Sequence, residues 1–113
     1  MGVDLMGRGA ESFNWDSWRA SLKVAESFGW RPSGTAPPTD QVGDWDGTYF
    51  SNDLQYVTDD DAKELARALF RALDAVHSDQ ALSSDQVEAL QEASLGVINR
   101  LAIYAYRGGF TIS

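Results

Sequence analysis

Cysteine is absent from this chain of 113 residues, and histidine occurs once, as His77. Neither a disulfide framework nor a thiolate metal site can form, and one imidazole does not assemble a Ser-His-Asp or Cys-His nucleophile. His77 falls near the end of a helical segment, where a cation suits the dipole, and reads as a helix-end or surface residue. Glycine-rich phosphate loops of the usual spacing are missing. No apolar run approaches the ~20 residues that cross a bilayer. The opening MGVDLMGRGAESFNWD lacks the basic start and apolar core of a signal peptide, so a cytoplasmic protein without membrane association is expected.

Positive charge is missing from one long window. Between Pro32 and Ala62 there is no Lys or Arg, while seven of the seventeen acidic residues lie there: Asp40, Asp44, Asp46, Asp53, Asp59, Asp60 and Asp61. The flanks hold ten acids against nine bases, so nearly all of the net charge of -8 belongs to this stretch. Such a balance argues against nucleic acid, whose phosphates require clustered Lys and Arg, and points to a basic partner. The same window carries Trp45, Tyr49, Phe50 and Tyr56. Aromatics set among carboxylates are more pointed than a solvated charge run.

Hydrophobic residues make up 43% of the chain and charged residues 23%, which places it among ordinary globular proteins. Residues 1–113 are read as a single domain. Val3 and Leu5 alternate with Asp4 in a short opening strand over Met1–Met6, ended by Gly7 and Gly9. Asn14 caps a helix over Trp15–Phe28, with Asp16 in its first turn and Phe13 and Trp18 spaced as a hydrophobic staple. Gly29 ends it. Residues 30–47 show no period and hold all three prolines, Pro32, Pro37 and Pro38, so they form a loop long enough to suggest function.

Thr48–Ser51 and Leu54–Val57 are rich in β-branched and aromatic residues and are separated by Asn52-Asp53, which predicts a hairpin. Thr58 caps a second helix to His77, its first turn holding Asp59, Asp60 and Asp61 and its buried stripe holding Ala62, Leu65, Ala66, Leu69, Leu73 and Val76. Ser83, Ser84 and Gln86 open a third helix, Asp85–Arg107, ~34 Å long. Its second half, LGVINRLAIYAY, is apolar on almost every face and is either central or a homodimer seam through Leu95 and Ile103. Phe110–Ile112 adds a last strand beside the first. The expected class is α+β, three helices packed with a small, mostly antiparallel sheet in the order β-α-β-β-α-α-β.

Candidate sites centre on the acidic window. Counting from Asp44, the glycine and bidentate Glu positions of an EF-hand loop hold Tyr49 and Gln55, so no metal site is assigned. No cofactor is implied. Trp30, Asp44, Trp45, Asp46, Tyr49 and Asp53 are the candidate binding residues. Two classes compete: a non-enzymatic binding or inhibitory module, immunity- or antitoxin-like, that engages a basic protein, and a pocket lined by Trp30, Trp45 and Tyr49 for a sugar or cationic metabolite. A small carboxylate-dependent hydrolase is a third.

The opening Met1-Gly2-Val3-Asp4-Leu5, the segment Asn14-Trp15-Asp16-Ser17-Trp18, and Tyr49-Phe50-Ser51-Asn52-Asp53 ahead of an Ala- and Leu-rich helix together resemble a loose group of small bacterial and phage-borne proteins of unknown function. The resemblance implies a self-contained accessory protein. It carries no activity and no site residue.

Overall fold

A computed structural model describes residues 2–113 and gives an α+β fold. Four strands, β1 (Gly2–Met6), β2 (Ala10–Asn14), β3 (Gln55–Val57) and β4 (Phe110–Ile112), form one antiparallel sheet in the order β2-β1-β4-β3. Four helices accompany it: α1 (Trp15–Ser27), α2 (Asp59–His77), α3 (Ser84–Glu92) and α4 (Leu95–Tyr106). The last strand does lie beside the first, with Leu5 opposite Ile112 and Met6 opposite Thr111. Alternation sorts the sheet faces. Val3, Leu5, Phe13, Val57, Phe110 and Ile112 are buried, whereas Asp4, Met6, Ser12 and Tyr56 are exposed.

The helix starts follow their caps. Asn14 accepts from the Ser17 N–H, Thr58 from that of Asp61, and Ser83 from that of Gln86, whose amide returns the bond as a capping box. Trp18 and Leu22 from α1, Leu65 and Leu69 from α2, and Ile98 and Leu101 from α4 fill one core. Trp18 meets Phe110 edge-on at 6.4 Å, which ties α1 to the centre of the sheet. The helix α2 packs against both α1 and α4.

Four expectations are corrected. Gly7 and Gly9 do end the opening strand, but the chain then turns back as an unexpected strand, β2, whose Ala-Glu-Ser-Phe-Asn sequence has only Ala10 and Phe13 as apolar residues and owes its form to pairing with β1, Val3 opposite Phe13. Of the expected Met1–Met6 strand, Met1 lies outside the described residues. The hairpin over Thr48–Val57 does not form, because the buried Gln55 side chain takes the place of a partner strand. Its amide N–H groups donate to the Thr48 and Ser51 carbonyls and its oxygen accepts from the Asp53 N–H, so Thr48–Asp53 wraps around one side chain. Positive φ falls on Leu54, not on Asn52 or Asp53.

The third helix is two helices. Ala93 and Ser94 are extended, and the Ser94 hydroxyl accepts from the Val97 N–H, so an internal Ser serves as a fresh N-cap. The apolar segment is consequently not buried all round. Ile98, Leu101, Ala102 and Ala105 face the core while Leu95, Ile103 and Tyr106 remain exposed.

One close approach controls how β4 leaves α4. The Gly109 N–H donates to Asp59 Oδ1 at 2.6 Å, and a Cβ at Gly109 would run into the Tyr56 hydroxyl and lie 2.6 Å from the Val57 carbonyl oxygen. The β3–β4 pairing therefore requires glycine there. Gly109→Ala is expected to destabilise the fold by about 2 kcal/mol, as overpacking of a closed site does, and urea denaturation measures it. An unchanged midpoint would show that β3 can move away freely.

Candidate functional site

The window from Trp30 to Gln55 contains almost no regular structure, yet it is tightly fastened. Its fasteners are indole N–H groups and one carboxylate. Trp18 Nε1 donates to the Tyr49 carbonyl at 2.9 Å, and Trp45 Nε1 donates to the Thr35 carbonyl at 3.1 Å. Trp30 Nε1 donates to Asp61 Oδ1 at 3.0 Å, while the Tyr49 hydroxyl donates to Asp61 Oδ2 and accepts from the Gly34 N–H at 3.0 Å. Trp30 and Tyr49 also meet edge to face at 5.4 Å.

Asp61 is thus a buried carboxylate with a donor on each oxygen, seated in the first turn of α2. Spacing put it among three helix-capping acids; its real role is to bind the long connection to α2. A legible signal existed. Asp61 shares a stripe with Leu65, Leu69 and Ala72, and a carboxylate on a buried stripe needs donors from elsewhere in the chain. Burial, with the neighbouring Asp61 bond and charge, raises the Tyr49 phenol well above its ordinary value of 10.0.

Between these fasteners lies a clasped loop. The Thr35 N–H donates to the Gly47 carbonyl at 3.1 Å, and the Thr35 hydroxyl to the Thr48 carbonyl at 2.7 Å. Gly34 and Gly47 both take positive φ, and a Cβ at Gly47 would sit 3.3 Å from Gly34 Cα, so two glycines let the ends of the loop meet. Ends held together with the loop's own side chains packed inside describe an Ω-loop. At its tip the Gln41 amide donates to the Val42 and Asp44 carbonyls. Val42 is 92% exposed.

The candidate residues divide. Trp30 and Tyr49 are core residues, at 3% and 6% exposure, and their polar atoms are committed to Asp61 and Gly34. Trp45 is half-buried and lines an open depression with Gln41, Asp44 and Asp46. Asp44, Asp46 and Asp53 are exposed. The Asp46 carboxylate accepts from the Thr48 N–H at 3.1 Å, a local turn contact. Among the described residues, Asp40, Asp44, Asp53 and Asp60 accept no side-chain hydrogen bond, and none of the seven window acids enters an ion pair. His77 lies at the C-terminus of α2 with Nδ1 2.9 Å from the Leu73 carbonyl. No group of three or more His, Asp or Glu among the described residues is arranged to hold a metal ion, and no helix there is long and apolar enough to cross a membrane.

Asp61→Ala strips the acceptor from two buried donors and is expected to cost about 3 kcal/mol, whereas Asp61→Asn keeps one carbonyl oxygen for Trp30 and should cost about 1 kcal/mol. Urea denaturation followed by tryptophan fluorescence separates the two. Tyr49 adds a pH limb. A phenol whose folded pKa is raised keeps its proton when the unfolded chain loses it, so its contribution is complete below pH ~10 and falls as pH rises further, by up to about 1.4 kcal/mol per unit. In Tyr49→Phe this alkaline slope should shrink; a slope equal to that of the wild type would assign it to other groups.

Comparison with protein-family models, with characterised proteins and with solved structures returned no match, so what the loop does must be read from its own geometry.

Proposed function

We propose that the protein is a non-enzymatic binding or inhibitory module, and that its clasped loop docks on a basic surface of a partner protein. The single observation that supports this most is the loop itself: an exposed Val42 flanked by the unpaired carboxylates of Asp40 and Asp44, held on a base closed by Thr35. An ordered loop loses little entropy on docking, so more of its contact energy reaches the affinity. Exposed carboxylates that pay no internal debt accelerate encounter with a basic surface and reject acidic ones. Asp46 extends the negative surface at the depression beside Trp45, and Asp53 is a further exposed carboxylate. Immunity-like and antitoxin-like roles fit such a surface.

The small-ligand reading has less support. It requires the rings of Trp30, Trp45 and Tyr49 around one hollow, and two of those three are packed against each other and bonded to Asp61. The hydrolase reading requires two carboxylates in a cleft, whereas Asp61 already has a donor on each oxygen and Asp59 is bonded to the Gly109 N–H.

Affinity capture from the source cell, with the purified chain as bait, tests the docking proposal. A partner retained at low salt should be lost at high salt, and the triple substitution Asp40→Asn, Asp44→Asn and Asp46→Asn should weaken retention about tenfold. Its melting temperature should stay close to wild type, because the three side chains are exposed. Capture that ignores both salt and the triple substitution would sink the proposal.

A further inference from the structure

The face formed by α2 and α4 is unlike the rest of the surface. Leu95, Ile103 and Tyr106 on α4 and Phe70 on α2 are exposed by 42%, 47%, 56% and 37%, and Phe70 meets Tyr106 edge-on at 6.0 Å. Beside them Leu73, Asp74 and His77 face Leu95, Gly96 and Asn99 across an open groove. Exposed apolar side chains gathered on two packed helices mark an interaction surface more than scattered ones do.

The outer stripe of α2 says what would cover it. Lys63, Arg67, Phe70, Asp74 and His77 follow one another at intervals of four, three, four and three, the spacing of a coiled-coil seam. Phe70 stands near the middle, with Lys63 and Arg67 on its N-terminal side and Asp74 and His77 on its C-terminal side. Rotation by two-fold symmetry about Phe70 reverses that order. It sets Arg67 of each copy against Asp74 of the other and places Phe70 on Phe70, with the apolar residues of α4 alongside. The rotation makes the Arg67–Asp74 contact twice and brings Lys63 beside His77, so the opposite charges that flank Phe70 most closely meet their own reversal in a second copy. A partner with one sign of charge along its length would leave Arg67 or Asp74 unmatched.

From this self-complementary stripe we infer that the α2–α4 face joins two copies of the chain in an antiparallel, two-fold helical contact. Asp74 enters no ion pair within its own chain, among the described residues, and is free to accept. Arg67 is bonded to Glu64 one turn earlier, but that pair is solvent-exposed and its guanidinium has further donors to give. The inference does not depend on the acidic loop or on any partner of that loop.

Sedimentation equilibrium of the full chain decides the matter. Wild type should show twice the mass of one chain at concentrations near 100 µM (on the order of a weak, micromolar dimer). Arg67→Asp and Asp74→Arg should each weaken the dimer about tenfold, and the two together should restore it, because the reversed pair recreates the contact. Both side chains are exposed, so circular dichroism should show intact folds. Ile103→Glu should abolish the dimer without unfolding the chain. A wild-type monomer at that concentration overturns the inference and leaves the face to a different protein. A dimer that the charge reversal fails to restore also overturns it, since a dimer held elsewhere would not read this pair.

Discussion

The carboxylate of Asp61 is the point on which the arrangement of this chain turns. A buried anion costs several kcal/mol of lost hydration, and two good hydrogen bonds to it return about the same amount. The net contribution to stability is therefore small, and its structural effect lies in specificity. Trp30 and Tyr49 each satisfy one of the Asp61 oxygens, and those residues stand at the two ends of the segment that carries the acidic loop. Helix α2 supplies the rigid support. The loop inherits its position from a helix without being part of any regular element.

That economy explains why so much of the window was opaque to periodicity. Helix starts were legible because Asn14, Thr58 and Ser83 act within three residues of themselves. The apolar stripes of α1 and α2 were legible for the same kind of reason, as was the pairing of the C-terminal strand with the N-terminal one. What escaped was every feature decided by a side chain reaching across the sequence. Gln55 displaces a hairpin that Thr48–Val57 would suit by composition, and Asp61 looks like a third capping acid until Trp30 and Tyr49 are brought to it. The break at Ala93-Ser94 is a failure of a different sort, because the Ser94 hydroxyl acts locally, on the Val97 N–H three residues on. Ser94 is an ordinary mid-helix residue by spacing and a cap only once α4 has turned to pack on α2.

The candidate site residues were legible as a set but not by role. Trp30, Trp45 and Tyr49 were grouped because aromatics in an acidic stretch suggest a shared purpose, and three indoles do share one: Trp18, Trp30 and Trp45 each spend their N–H on fastening the same connection. An indole buries a large apolar area and retains a single donor, so it can anchor irregular backbone where no ladder is available. The carboxylates divide by the same test. Asp59 and Asp61 are consumed by Gly109, Trp30 and Tyr49, whereas Asp40, Asp44, Asp53 and Asp60 have no such bond. Sequence spacing cannot make that division, because the deciding partners lie far along the chain.

The two surfaces left over after this accounting differ in chemistry. The loop offers carboxylates without compensating bases, and attraction of that kind extends over a Debye length of about 8 Å and fades in salt. The α2–α4 face offers contact area, with charges of both signs arranged around Phe70, and contact of that kind acts only at close range. A surface of the first type suits a partner met by diffusion, whereas one of the second type suits a neighbour already held in register. Because Asp61 belongs to α2, the helix that carries Phe70 also positions the acidic loop, so pairing through α2 would present two such loops in a fixed relation. Two linked loops would bind a partner carrying two basic patches far more tightly than one loop alone, provided the spacing of those patches matches the two-fold.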